Sequence, residues 1–259
     1  MKKRTVLILA LALGVIVAAV LLLWLRPSSA PKTVAVNETN FPDENFRTVV
    51  NQYDGDRDGV LSSAELSDVT WINCADHGIT SLKGIEYFSA LTELDCFENQ
   101  LSSLDVSRNT KLIRLACSDN QLTALDVSKN TALEQLYCYN NQLTALDVSK
   151  NAALKKLVCY SNRLTALEVS RNTALEVLEC SGNQLTALDL RQNQNLRHLT
   201  CYGNELTVLD VSAVPGLLDA LENGEKTANQ EKGIVVYETN DDMIAMDLDQ
   251  KTVPETDPS

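Results

Sequence analysis

Between residues 54 and 65 the chain reads DGDRDGVLSSAE. Asp54, Asp56 and Asp58 place carboxylates two residues apart, Gly59 follows them, and Glu65 closes the run. A hard divalent cation takes oxygen ligands in this order. Alternating carboxylates come first, then a glycine for the sharp turn, a backbone carbonyl, a water-mediated side chain and a bidentate glutamate. Val60 supplies the carbonyl position and Ser62 the water-mediated one. The spacing therefore predicts a calcium site made by Asp54, Asp56, Asp58, Val60, Ser62 and Glu65. A solvated acidic turn is the competing reading; the complete match, directly after an amphipathic helix, favours the cation. In that helix Pro42 suits the first turn, Asp43 and Glu44 complement the N-terminal dipole, and Phe46, Val49, Val50 and Tyr53 form one face. Only one such loop is present and its exiting half is short, so the expected role is structural: a bound calcium fixing a small cap. Outside a cell an affinity on the order of 10⁻⁴–10⁻³ M suffices for that.

The second group of reactive residues is the seven cysteines. Cys74, Cys96, Cys117, Cys138, Cys159, Cys180 and Cys201 are separated by 22 residues once and then always by 21. An exported chain ordinarily pairs its cysteines. Here the count is odd and the spacing puts them in single file, which suits neither disulfides nor convergent metal ligation. Free cysteine behaves as a small buried hydrophobe, and the spacing predicts a buried thiol ladder.

The cysteines mark a repeat that organises the chain. Units of 21 residues begin at Leu91, Leu112, Leu133, Leu154, Leu175 and Leu196, each reading LxxLxCxxNxLxxL, usually followed by D-V-S-x-N. A degenerate unit starts near Val69, with Ile72, Cys74, Ile79 and Leu82 at matching places. A period in the twenties with leucines at these offsets is the leucine-rich-repeat signature. Leu94 and Cys96 lie two apart, so both point to one side of a short strand. Stacked in parallel about 4.8 Å apart, seven strands make a right-handed solenoid roughly 30 Å long. One turn cannot bury its own apolar face, so stability comes from neighbours. Asn99, Asn120, Asn141, Asn162, Asn183 and Asn204 are expected to bond backbone groups left unpaired at one corner. Asn109, Asn130, Asn151, Asn172 and Asn193 are expected to do so at the opposite edge. A 21-residue unit leaves little room for a helix, so the convex side should be extended or 3₁₀. The expected fold class is thus a leucine-rich-repeat solenoid of the α/β horseshoe class, mostly β, with a helical calcium-loop cap before it and a β-hairpin cap after it.

The units reading LxxLxCxxNQLTxLDVSxNT resemble bacterial cell-surface leucine-rich-repeat proteins and are distantly similar to the internalins. FPDENF, the acidic loop and GITSLKGIEYFSALTEL resemble the EF-hand-like N-terminal cap of that group. The resemblance covers roughly residues 40–216. It implies an adhesion or protein-binding module. The chain has no clear LPxTG sorting motif, unlike wall-attached members.

Alternation along each strand exposes the positions between the inward leucine and cysteine. They run Glu93, Asp95, Phe97; Arg114, Ala116, Ser118; Gln135, Tyr137, Tyr139; Lys156, Val158, Tyr160; Val177, Glu179, Ser181; and His198, Thr200, Tyr202. Inward positions scarcely change from unit to unit, while these vary. Phe97, Tyr137, Tyr139, Tyr160 and Tyr202 are five of the chain's 13 aromatics. Exposed aromatics on a rigid concave face suit an interface hot spot, although strands favour tyrosine in any case. Phe97, Tyr137, Tyr139, Lys156, Tyr160, His198 and Tyr202 are the candidate partner-binding residues, with Tyr137, Tyr139 and Tyr160 forming a patch on adjacent rungs. The expected partner is a protein; the alternative is a glycan stacking on the tyrosines.

The ends complete the organisation. Lys2, Lys3 and Arg4 precede an uncharged apolar run from Val6 to Leu25, followed by Arg26. Roughly 20 residues span a bilayer. The run is read as an uncleaved signal-anchor with the rest of the chain outside the cell membrane. Cleavage after Ala30, which would release a secreted protein, is the competitor. Residues 31–39 form a linker, 40–68 the cap, 69–216 the repeats, 217–251 a C-terminal cap and 252–259 a disordered tail. Within the C-terminal cap, 234–237 (IVVY) and 243–248 (MIAMDL) read as strands of a hairpin turning at Asn240-Asp241-Asp242. The formal net charge of −13 is uneven: the first 26 residues carry +4, residues 38–68 carry −6, the repeats only −4, and residues 217–259 carry −8. Acidity at the ends and a lack of basic tracts speak against a nucleic-acid partner. There is no H-E-x-x-H, P-loop or G-x-S-x-G, and neither His77 nor His198 faces a nucleophile, so no enzyme is expected.

Overall fold

The computed structural model describes residues 33–211, 213–215, 234–236 and 245–247. The apolar run at 6–25, most of the linker's beginning and the tail at 252–259 lie outside the described residues. Among the described residues no helix is long and apolar enough to cross a membrane.

The chain enters through β1 (Val34–Ala35), α1 (Glu44–Val50), a 3₁₀ turn (Asn51–Tyr53), β2 (Val60–Leu61) and α2 (Ser63–Asp68). Asp43, not Pro42, begins α1: its carboxylate accepts from the Phe46 amide as N-cap, leaving Pro42 one position outside. The face forecast for this helix is the buried one, with Phe46, Val49 and Val50 in the core. Phe46 and Tyr87 meet Phe41 edge-on, at centroid distances of 6.1 and 5.7 Å. Gly84 makes room for this cluster. It sits at φ +106, and a Cβ there would stand 2.3 Å from the Phe41 ring.

Asp43 also fastens the cap to the repeats. Its second oxygen accepts from the Thr80 amide (2.8 Å), the Thr80 hydroxyl (2.7 Å) and the Ser81 amide (3.2 Å). Partial burial pushes the Asp43 carboxyl up, but these bonds outweigh it and its pKa is lowered.

Seven parallel strands follow: β3 (Trp71–Asn73), β4 (Glu93–Asp95), β5 (Arg114–Ala116), β6 (Gln135–Tyr137), β7 (Lys156–Val158), β8 (Val177–Glu179) and β9 (His198–Thr200). Each pairs in register with the next, Ile72 opposite Leu94, Leu94 opposite Leu115, and so on to Leu178 opposite Leu199. The central leucine of each strand, Ile72 in β3, and the following cysteine are buried. All seven cysteines are free thiols. Burial raises the pKa of Cys74, Cys117 and Cys159 to about 12, which removes the thiolate and with it their reactivity. Between strands the described chain is extended or turned, with a 3₁₀ turn at Ile85–Tyr87 ahead of β4.

Both asparagine columns do what their spacing forecasts. Asn141 donates from Nδ2 to the carbonyls of Cys117 (3.0 Å), Cys138 (3.1 Å) and Tyr139 (3.2 Å), while its Oδ1 accepts from Leu122 N–H (3.0 Å). Asn120 and Asn162 repeat the pattern one rung away. On the opposite edge Asn151 donates to Val127 and Asn130 carbonyls (3.0 and 2.8 Å). Just before the first column the backbone turns left-handed at Asp76, Glu98, Asp119, Asn140 and Ser161, with φ between 51 and 55, and glycine takes this position at 182 and 203. Five non-glycine residues in that region are costly. From Glu98 onward the asparagine that follows each corner holds it; after Asp76 that place is taken by His77.

The C-terminal strands depart from expectation. β11 (Ile234–Val236) and β12 (Ala245–Asp247) do not form a hairpin. β11 pairs antiparallel with β10 (Val208–Asp210), and β12 pairs antiparallel with β9. A turn signal acts locally, whereas the last solenoid turn presents two strands with unpaired backbone groups. Each segment satisfies one of them instead of its neighbour.

Candidate functional site: an acidic loop and a variable sheet face

The acidic loop is built by the two helices that flank it. Asp54, Asp56 and Asp58 each bring a carboxylate oxygen within 4.8 Å of the others. Backbone donors hold them there. Asp54 accepts from the amides of Asp58 (3.2 Å) and Gly59 (2.9 Å), and Asp58 accepts from Val60 N–H (2.7 Å). Arg57 (φ 60) and Gly59 (φ 82) are left-handed, which turns the loop back on itself. The Asp58 amide pulls the Asp56 carboxyl down, but desolvation and the charges of Asp58 and Glu65 outweigh it, so the pKa of Asp56 is raised. Among the described residues none of these three carboxylates forms an ion pair with a lysine or arginine.

Val60 has its carbonyl available to the loop. β1 and β2 pair with Ala35 opposite Val60, and Val36 N–H donates to Gly59 O at 2.9 Å. Residues 36 and 59 are therefore the hydrogen-bonded pair. In an antiparallel ladder the next pair, 35 and 60, turns its backbone groups away from the partner strand. Ser62 and Glu65 are engaged otherwise. They form a capping box on α2: Ser62 Oγ accepts from Glu65 N–H, and Glu65 Oε2 accepts from Ser62 N–H at 2.8 Å. Glu65 Oε1 accepts from Gly55 N–H at 2.7 Å, at the mouth of the loop. Its carboxylate is bonded to loop backbone rather than grouped with the three aspartates. The residues present fit a hard cation: three converging carboxylates, a Val60 carbonyl turned away from the partner strand, and Glu65 at the mouth of the loop.

The sheet face presents three columns of side chains across β3–β9. Tyr139 and Tyr160 stack face to face, centroids 4.5 Å apart and planes at 11°. Burial first, and the Tyr139 ring second, raise the pKa of Tyr160 to about 12. Tyr137 does not join that stack. It lies between two cations, with the Arg114 guanidinium and the Lys156 ammonium each 5.3 Å from its ring centroid, and its hydroxyl donates to Gln135 Oε1 at 3.1 Å. Arg114 is also ion-paired with Asp95, whose other oxygen accepts from Trp71 Nε1 at 3.0 Å. Phe97 is half-buried, Tyr202 is 43% exposed, and His198 lies 3.9 Å from a Glu179 oxygen at the far end. The structure thus brings together Tyr139 with Tyr160 and Tyr137 with Lys156, and leaves Phe97, His198 and Tyr202 apart from them.

Three members of this face were not among the forecast binding residues: Trp71, Asp95 and Arg114. Trp71 is 53% exposed at the head of the first column. It stands 22 residues before Glu93 and three before Cys74, a spacing the degenerate first unit obscures.

No protein-family model matches the chain. Internalin J of Listeria monocytogenes is 41% identical over 71 residues, 27% of this chain and 8% of that protein. The solved functional domain of that protein, described as including a cysteine ladder, is 33% identical over 73% of this chain and 52% of that one, with a TM-score of 0.49. The chain therefore spans about half of that domain. Two further Listeria monocytogenes structures are 21% identical: the internalin InlF, over 74% of this chain and 64% of its own (TM-score 0.56), and internalin C2, over 72% and 93% (TM-score 0.53). The in-register parallel strands, the buried leucines and the asparagine corners, together with the likeness to InlF and internalin C2, establish the fold as an internalin-like leucine-rich-repeat solenoid.

Proposed function

We propose that the chain is an extracellular module that binds a protein partner through the concave sheet face, with a structural calcium ion in its N-terminal cap. The single observation that carries the binding reading is the division of labour within each repeat. The inward leucine, cysteine and asparagine positions recur from rung to rung and are buried, whereas the outward columns gather Trp71, Arg114, Tyr137, Lys156, Tyr139 and Tyr160 within a few rungs. Aromatic and arginine side chains on a rigid surface are the residues that dominate binding energy. The likeness to internalins supports a protein-interaction role. The tyrosine stack favours protein over glycan, because two rings lying face to face each leave only one face for a sugar. Asp54, Asp56, Asp58, the Val60 carbonyl and Glu65 would hold the calcium, with Ser62 reached through water. The apolar run at 6–25 would tether the module to the outer face of the membrane, or be removed after Ala30.

The double variant Tyr137→Ala, Tyr160→Ala tests the face. Binding to extracellular proteins, assayed alongside a glycan array, should fall at least tenfold while the melting curve stays within a few degrees. Retained protein binding refutes the patch, and glycan binding that disappears in the variant moves the assignment to a sugar.

A further inference from the structure

We infer that the partner places an acidic side chain, Asp or Glu, at the edge of the Tyr137 ring within reach of Arg114 and Lys156, with basic or neutral residues on either side of it. The inference rests on the protein-binding reading above and deepens it. In parallel register Arg114 and Lys156 flank Gln135, one strand to each side. Instead of spreading away, both heads converge on the ring of Tyr137. A tyrosine face attracts a cation, but two like charges held at one ring repel each other, and a carboxylate arriving at the ring edge within reach of both relieves that repulsion.

The two cations differ in what they still need. Arg114 is neutralised by Asp95, and Asp95 divides its oxygens between Arg114 and the Trp71 indole. The half-buried Lys156 has no carboxylate within ion-pair distance among the described residues; the neighbouring pairs are Lys155 with Glu134 and His198 with Glu179. Arg114 keeps further N–H donors free for a second acceptor. Ala116 and Val158, in register with Tyr137 on either side, are buried and give the ring an apolar floor, so a charge seated there is screened less than at an open surface.

The charge pattern across the rungs sets the partner's class. Acids at Glu93 and Asp95 come first, then the cations of Arg114 and Lys156, then the acid at Glu179. A uniformly anionic polymer would meet repulsion at both ends. An isolated acidic residue between basic or neutral ones meets the complement at every rung. The tyrosine stack beside the site suits an apolar residue next to the acid.

A displayed random dodecapeptide library, selected on the full chain in calcium, tests this. Selected peptides should share an Asp or Glu, and changing it to Asn or Gln should weaken binding at least tenfold by fluorescence polarisation. Lys156→Glu should abolish binding, and exchanging the peptide's acid for Lys should restore it on that variant. Should Lys156→Glu fail to fold, Lys156→Gln with the same peptides gives the answer. Peptides lost on Tyr137→Ala but indifferent to Lys156 and to their own acid overturn the inference and leave the face reading standing. Peptides indifferent to Tyr137 as well, or no selected peptides at all, count against both.

Discussion

Replacing Asn141 with alanine should lower the unfolding midpoint by about 10 °C, whereas Thr144→Ala, at an exposed position three residues further on, should leave it within about 1 °C. Asn141 makes four hydrogen bonds, three as donor to the carbonyls of Cys117, Cys138 and Tyr139 and one as acceptor from Leu122 N–H. Alanine replaces none of them. The Leu122 amide and the Cys carbonyls are buried where water cannot substitute, and each orphaned group costs about 1–3 kcal/mol. The expected loss is therefore on the order of 3–5 kcal/mol. Position matters too. A solenoid is held by nearest-neighbour interfaces, and Asn141 joins two adjacent rungs near the middle of the stack. The variant should melt in two steps, with the ends separating before either unfolds fully. A single transition at the wild-type midpoint would show that the corner asparagines are dispensable.

Calcium should raise the midpoint and a chelator should lower it, by about 5–10 °C between the two conditions. A ligand at about 100 times its Kd contributes about 2.7 kcal/mol, and each kcal/mol moves a chain of this size by about 2–4 °C. The effect should not be confined to the loop. β2 belongs to the acidic loop, and its partner is β1 at Val34–Ala35. Calcium should therefore slow amide exchange at Val34 and Val36 together with exchange in the loop. The variant Asp54→Asn, Asp58→Asn should remove the calcium response, because it takes away two of the three converging carboxylates, and should raise the midpoint of the calcium-free protein by relieving their mutual repulsion. Identical melting curves with calcium and with chelator would discard the site.

How far these features were legible in the sequence depended on whether a residue acts through its own spacing or through its neighbours. Leu94, Cys96 and Asn99 recur every 21 residues, and a strict period can bury one face in only one way, so strands, thiol ladder and corner bonds all followed. The acidic loop was legible for a similar reason, since Asp54, Asp56, Asp58 and Gly59 have positional roles. Ser62 and Glu65 were harder. The same serine and glutamate spacing that suits a calcium loop also makes a capping box, and in the structure both side chains serve the backbone. Alternation assigned Tyr137, Tyr139 and Tyr160 to the outer face but not their grouping. Arg114 and Lys156 draw Tyr137 to themselves, and Tyr139 and Tyr160 stack two residues past the ends of adjacent strands. Trp71 was hidden by the irregular first unit. Asp43 reads as a dipole partner for a helix, and its second set of bonds, to Thr80 and Ser81, joins segments 37 and 38 residues apart that no local pattern connects. The C-terminal strands were found and mispaired, because an Asn-Asp-Asp turn says where a chain can reverse and nothing about the open edges of β9 and β10.

A photo-crosslinking residue placed at position 137, on the sheet face, and separately at position 144, outside the sheet, tests the central claim most directly. After exposure of the folded protein to extracellular proteins in calcium, the account predicts a discrete protein adduct from position 137 and none from position 144. Adducts of equal yield from both positions, or from position 144 alone, would contradict it.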